Sequence, residues 1–309
     1  MRDPNLALGI DLGGTNLRVG IVDHDGQLLE FAAGPIDASL PGDQIVIEIW
    51  KLTGQLSELQ RVSSVGIALA GAVLPDGIIQ KELTNLEGLH HYPLKEKLIQ
   101  LFHLPCHLDN DAILALLGEY RFGAGRGYQN ILLLTLGTGI GGALLLNGVL
   151  RKGPHGLGCE IGMLPFPNPD LESLTPFERL ASPKSIMHRL GDPSGYLYEK
   201  ASAGDLQAQA AIEGMYRYLG WIVTALHLAN DIELVILSGG LASVGQPLRE
   251  GVRRAYEQIC PAEIQFGLNI VTGSLPQHAA GVIGAACLCF EPIASVPSPY
   301  KSRENPILS

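Results

Sequence analysis

The apolar residues of this chain fall into short runs broken by glycine and longer stretches with helical spacing. Leu6 to Leu12 and Leu17 to Val22 flank Gly13-Gly14-Thr15-Asn16, the pattern of a β-hairpin. A His24-Asp25-Gly26 turn and Gln27 to Ala33 predict a third strand, so the chain opens with a meander. Ile45, Ile49, Leu52, Leu56 and Leu59 recur near helical spacing and predict a helix over one face of that sheet. Val62 to Ala70 then reads as a strand, Pro93 to Phe102 as a short helix, Pro105 to Leu108 as a strand and Ala112 to Tyr120 as a helix.

The opening pattern returns at Ile131 to Asn147, again an apolar run, a Gly/Thr tip and an apolar run. Two such hairpins predict a duplicated architecture in which each half presents a loop to one nucleotide. Pro165 to Pro176 has four prolines and no periodicity, which predicts a loop. Phe177 to Arg189, Leu206 to Leu228 and Gln246 to Ile259 predict helices, with strands at Glu233 to Leu237 and Asn269 to Gly273. Ala279 to Cys289 predicts a Gly/Ala-rich helix able to pack closely. Gly123 to Gly127 marks a boundary and a hinge between halves, and four prolines from Glu291 on predict a weakly ordered tail.

The tips carry candidate chemistry. Adjacent glycines let the backbone approach an anion, while Thr15 and Asn16 add a hydroxyl and an amide. Asp11, at the end of the first strand, is placed to orient a magnesium ion through its water shell. Gly137 to Gly142 also spells G-x-G-x-x-G, with Glu160 near the spacing of a ribose-binding acid. A dinucleotide site is excluded because the following Ala143-Leu144-Leu145-Leu146 and Asn147-Gly148 read as a strand entering a turn, where the fingerprint needs a helix. Asp109-Asn110-Asp111 suits a helix cap, yet at a strand's C-terminal end Asp111 could also face a substrate hydroxyl.

With 309 residues and 46% hydrophobic content, the chain can bury the cores of two domains. Its net charge of −10 argues against nucleic-acid or anionic-membrane partners, so any phosphate must be held locally. Five scattered cysteines, at 106, 159, 260, 287 and 289, resemble neither a disulfide framework nor a zinc site. They fit a reduced cytoplasm, and with so short a lead into the first strand no signal peptide is expected. Glu213 and Arg217 make Leu206 to Leu228 a core helix rather than a membrane span.

Taken in order, Asp11-Leu-Gly-Gly-Thr, Asn110-Asp111, Leu136-Gly-Thr-Gly-Ile-Gly-Gly, Glu160-Ile-Gly and Ser238-Gly-Gly resemble the ROK family of sugar kinases and sugar-responsive repressors, from about Leu6 to Ala286. The resemblance implies the actin-like ATPase (ribonuclease H-like) fold, two α/β domains with a cleft between them. It places a smaller domain at 1–121 on the sugar side, a larger one at 122–290 on the adenosine side, and the tail at 291–309. Asp11, Gly14 and Thr15, with Gly13 and Asn16 in the same tip, then match the first phosphate motif, and Gly137, Thr138 and Gly139 the second. Gly239 and Gly240 match the adenosine motif. Asn110 resembles a sugar-binding residue and Asp111 the catalytic base, while Gly71, Asn85, Glu160 and Glu178 fall at positions that contact sugar.

The chain departs from the family pattern in two places. Most members have a His after Glu-Ile-Gly and a cysteine cluster that binds structural zinc. This chain has Met163 there and no cysteine between Cys159 and Cys260, so no structural zinc is expected, and the loop at 165–176 is expected to take over the zinc module's role. The resemblance implies an ATP-dependent kinase of a hexose hydroxyl, with glucose to glucose 6-phosphate as the expected reaction; because a thioether cannot donate a hydrogen bond, N-acetylmannosamine and N-acetylglucosamine stand as alternatives. The resemblance implies Mg-ATP as donor, with polyphosphate as an alternative, and a homodimer. A non-catalytic sugar sensor is the weaker reading, because repressor members carry a helix-turn-helix domain before the first hairpin and this chain is acidic.

Overall fold

The computed structural model describes residues 2–71, 73, 79, 86–168, 173–191, 196–265, 267–276 and 278–290. Asn85 and the 291–309 tail lie outside the described residues. The first hairpin forms as its pattern predicts. β1 (Leu6–Leu12) pairs antiparallel with β2 (Asn16–Asp23), from Leu6 opposite Asp23 to Leu12 opposite Leu17. β3 (Leu28–Pro35) adds to β2, and α1 (Gly42–Thr53) buries Ile45, Ile49 and Leu52 against the sheet. The helix stops before Gly54, short of the predicted Leu59. β4 (Ser64–Leu69) is buried at every position, as suits a strand with elements on both faces, and pairs parallel with β1. α2 (Leu94–Phe102) leads to β5 (Cys106–Asn110), which completes a five-stranded sheet in the order β3-β2-β1-β4-β5.

After α3 (Asp111–Phe122) the architecture repeats. β6 (Ile131–Leu136), β7 (Ile140–Leu146) and β8 (Val149–Leu150) form an antiparallel meander, with Ala143 to Leu146 a strand and not a helix. Residues 165–176 depart from the expected loop. Pro165–Asn168 (β9) and Ser173–Pro176 (β10) pair as a separate two-stranded sheet. Phe177 to Arg189 is two helices, α4 (Phe177–Ala181) and α5 (Pro183–Arg189), because Ser182 caps the second and Pro183 opens it. α6 (Leu197–Ser202) and the long α7 (Leu206–Asn230) follow, α7 capped by Asp205. β11 (Leu234–Ser238), α8 (Gln246–Ile259) and β12 (Asn269–Thr272) complete a second sheet in the order β12-β11-β6-β7-β8. Each sheet is thus an antiparallel meander extended by two parallel strands.

The closing helix of each half packs on the other half's sheet. α3 sets Ala112, Ile113, Ala115 and Leu116 against Ile131, Leu133 and Ala143 of the second sheet. α9 (Ala280–Cys287) sets Val282, Ile283 and Ala286 against Ala7 and Val22 of the first. The approach requires glycine: a Cβ on Gly66 would lie 1.8 Å from the Ala285 carbonyl oxygen, and one on Gly284 2.0 Å from that of Leu114. The small-residue composition of this helix is therefore a packing requirement.

The chain crosses between the sheets twice, after α3 and before α9, and one side chain holds both crossings. Glu119 is 1% exposed. Its Oε2 accepts from the Ala124 N–H at 2.8 Å and from the N–H and hydroxyl of Ser274 at 3.2 and 3.3 Å, and Oε1 accepts from the Leu275 N–H at 3.0 Å. Glu119→Gln would aim an NH2 group at these donors. Urea unfolding should then show a loss of about 2 kcal/mol or more, the cost of leaving buried donors unpaired. A loss below about 0.5 kcal/mol, within the range of ordinary surface changes, would show that the network does not hold the crossings.

Candidate active site

The two hairpin tips face solvent with their polar groups. In the first, the Gly13 N–H donates to the Asn16 carbonyl at 3.0 Å, closing the tip, and Thr15 and Asn16 are exposed. In the second, the Gly137 N–H donates to the Gly139 carbonyl at 3.0 Å and Thr138 is exposed. Gly239 (φ 83°) packs so tightly on the base of this hairpin that a Cβ there would lie 2.7 Å from the Leu136 carbonyl oxygen. The Gly239-Gly240 turn is therefore fixed beside the second tip.

Four carboxylates converge near these tips. Asp11, on β1, lies across the hairpin from Arg18, whose Nη1 donates to Oδ2 at 2.9 Å. Arg18 is thus directed at a carboxylate. Burial raises the Asp11 pKa, and Arg18 opposes that shift. A Cβ at Gly281 would lie 2.6 Å from the Asp11 carboxyl, so the start of α9 closes this corner. Asp111 opens α3, where its Oδ1 accepts from the Ala112 N–H at 2.8 Å. Burial pushes its pKa up to about 7, with the charges of Asp11 and Glu160 adding to the effect. Glu160 is raised in turn by burial and by Glu178. Glu178, on α4, reaches the second tip, for a Cβ on Gly139 would lie 2.5 Å from its Oε2.

Asn110 is bonded on both ends of its amide. Its Oδ1 accepts from the N–H groups of Ala112 at 2.9 Å and Ile113 at 3.1 Å, capping α3, and its Nδ2 donates to the Gly71 carbonyl at 2.9 Å. One N–H of that NH2 group is left for a ligand. Gly71 thus meets Asn110 at the site, while the position of Asn85 is outside the described residues. Among the described residues, no group of three or more His, Cys, Asp or Glu side chains is placed to hold a metal ion directly. An ion at this site would meet the protein through Asp11 and otherwise through water and phosphate, as magnesium commonly does.

The arrangement can do specific chemistry. A carboxylate that titrates near neutrality is suited to take a proton from a hydroxyl, and glycine-rich tips with exposed hydroxyl and amide groups are suited to an extended anion.

The profile of the ROK family matches residues 7–291. The chain belongs to the ROK family. It is 31% identical to a glucokinase of Thermotoga maritima, over 94% of this chain and 99% of that protein. It is also 31% identical to an N-acetylmannosamine kinase of Escherichia coli, over 91% of this chain and 97% of the relative. A ROK glucokinase from Streptomyces griseus, solved with glucose and AMPPNP, superposes with a TM-score of 0.78 at 28% identity, over 92% of this chain and 98% of that one. The paired sheets are the actin-like ATPase fold of ROK sugar kinases.

Met163, which stands where the family pattern led one to expect His, ends a short helical turn, 48% exposed, three residues after Glu160. Two ion pairs at or beside the site differ in how far the sequence signals them. Asp11–Arg18 follows from the hairpin pattern, since closure at Leu12 and Leu17 places these residues opposite each other. Asp109–Lys152 joins residues 43 apart in the chain, and no local pattern signals it.

The Asp111 pKa gives a test with a definite sign. Its folded value lies above the ordinary 3.8, so the folded state favours the protonated form. Relative to Asp111→Asn, whose amide oxygen can keep the Ala112 bond, the wild type loses stability as pH rises from about 4 through about 7. Thermal unfolding should find the variant more stable at pH 8, with the advantage closing by about pH 4. A difference independent of pH would contradict the assignment.

Proposed function

We propose that this protein transfers the γ-phosphoryl group of ATP to a hexose hydroxyl, converting glucose to glucose 6-phosphate. The observation that carries this reading is Asp111, a carboxylate poised near neutrality with Asp11 and Glu160 as charged neighbours, in a site flanked by two Gly-Thr hairpin tips. Asp111 accepts the proton of the sugar hydroxyl. The remaining N–H of Asn110 and the carboxylates of Glu160 and Glu178 orient the other hydroxyls, with Gly71 on the same side. Backbone N–H groups at Gly13, Gly14, Gly137 and Gly139, with Thr15, Asn16 and Thr138, cradle the phosphates, and Gly239 and Gly240 border the adenosine.

Asp11 is suited to hold magnesium through water, an ion that when bound neutralises phosphate charge. Phosphoryl transfer depends on positioning and charge stabilisation more than on covalent chemistry, which suits a site built of amides and carboxylates. The reading places the sugar on the 1–121 side and the adenosine on the 122–290 side. It also includes a homodimer in the cytoplasm; no helix among the described residues is long and apolar enough to cross a membrane.

A second sugar is supported by the similarity to an N-acetylmannosamine kinase and by Met163, whose apolar side chain suits an acetamido methyl group better than a hydroxyl.

The test is ADP release from Mg-ATP with glucose, mannose, fructose, N-acetylglucosamine and N-acetylmannosamine offered separately. The expected result is preferred turnover of glucose; preference for N-acetylmannosamine would support the second reading. Asp111→Asn should lower kcat by roughly a hundred- to ten-thousand-fold, the usual effect of losing a general base. Activity near wild type in that variant would remove Asp111 from the role.

A further inference from the structure

The Asp109–Lys152 ion pair lies outside the site residues but joins the two segments that carry them. Asp109 is on β5 of the first sheet, two residues before Asp111, and its side chain is only 7% exposed. Its Oδ1 accepts from the Asn110 N–H at 2.9 Å, and its Oδ2 accepts from Lys152 Nζ. Lys152 follows β8 of the second sheet, so this bond crosses from one half of the protein to the other.

Lys152 is also the neck of the loop that ends at Glu160. Its carbonyl accepts from the Gly158 N–H at 2.8 Å, which closes residues 153–157 into a protruding loop. The neck is so tight that a Cβ on Gly158 would lie 2.3 Å from the Arg151 carbonyl oxygen. The loop then delivers Cys159 in the left-handed region, at φ 75°, directly before Glu160. A non-glycine residue held there persists only when its surroundings fix it from several directions. The neck bond is one such restraint, and the Lys152 side chain is a second.

We propose that the Asp109–Lys152 pair is a positioning clasp that holds the Glu160 loop in register with Asp111 across the cleft. This inference rests on the kinase reading for its functional consequence. The clasp acts through Glu160 on sugar binding, and not on the phosphates, which the hairpin tips hold. The competing account is that Lys152 merely neutralises a buried carboxylate, and the two accounts differ for the double variant. Asp109→Asn with Lys152→Met leaves no uncompensated buried charge and also no clasp.

The experiment compares wild type, Lys152→Met, Lys152→Arg and the double variant. Steady-state kinetics on glucose and Mg-ATP, thermal unfolding, and amide hydrogen exchange of residues 153–160 are the readouts. Lys152→Met should raise the glucose KM by about tenfold or more, with kcat and the Mg-ATP KM within about threefold of wild type, the pattern of lost substrate binding. Lys152→Arg should restore the glucose KM. The double variant should regain the wild-type Tm yet keep the raised KM and fast loop exchange. Recovery of the KM together with the Tm would overturn the proposal, as would an unchanged KM or loop exchange in Lys152→Met. If the wild type turns over no sugar, the kinase reading falls, and exchange in the 153–160 loop still decides whether the clasp exists.

Discussion

The buried carboxylate of Glu119 is the constraint on which the two-halved architecture depends. A carboxylate is costly to bury unless several donors face it. Here the donors come from the two segments that join the sheets, near Ala124 and near Ser274 and Leu275. Both connections are therefore pinned to one point on α3. α3 runs into this point and α9 follows it in the chain, and each packs on the other half's sheet. The close contacts at Gly66 and Gly284 then allow the helices to lie near enough for Asp111, at the head of α3, to feel the charge of Asp11 on β1.

That packing also accounts for how an acidic protein can hold a polyanion. The cleft gathers Asp11, Asp111, Glu160 and Glu178: Asp11 and Glu160 add to the burial that raises the Asp111 pKa, Glu178 adds to the burial that raises that of Glu160, and Arg18 opposes the rise at Asp11. On the proposed reading, phosphate is met by backbone N–H groups at the tips rather than by a basic surface. On the same reading Asp111, Glu160 and Glu178 serve the sugar hydroxyls, for which carboxylates are natural acceptors.

Much of this was legible in the chain. The hairpins at Gly13–Asn16 and Gly137–Gly139 announce themselves because glycine tips interrupt dense apolar runs, and their recurrence predicts the duplicated sheets. The helix from Gln246 to Ile259 matches its amphipathic pattern end to end. What was not legible depends on distant partners or on proline in an unusual setting. Residues 165–176 pair despite Pro165, Pro167 and Pro176, because an isolated two-stranded sheet leaves one edge of each strand without ladder bonds and tolerates proline there. The break at Ser182-Pro183 did carry a signal, a capping serine before a first-turn proline, that helical composition on both sides concealed. Glu119 and Lys152 carried none, since Ser274 and Leu275 at the one and Asp109 at the other are brought up from distant parts of the chain.

The most direct test of the account is 31P NMR of the purified protein with Mg-ATP and glucose. The account predicts that the γ-phosphate resonance is lost as that of glucose 6-phosphate grows in equal measure. Release of inorganic phosphate without a sugar phosphate would contradict it, because Asp111 would then be activating water and not a sugar hydroxyl.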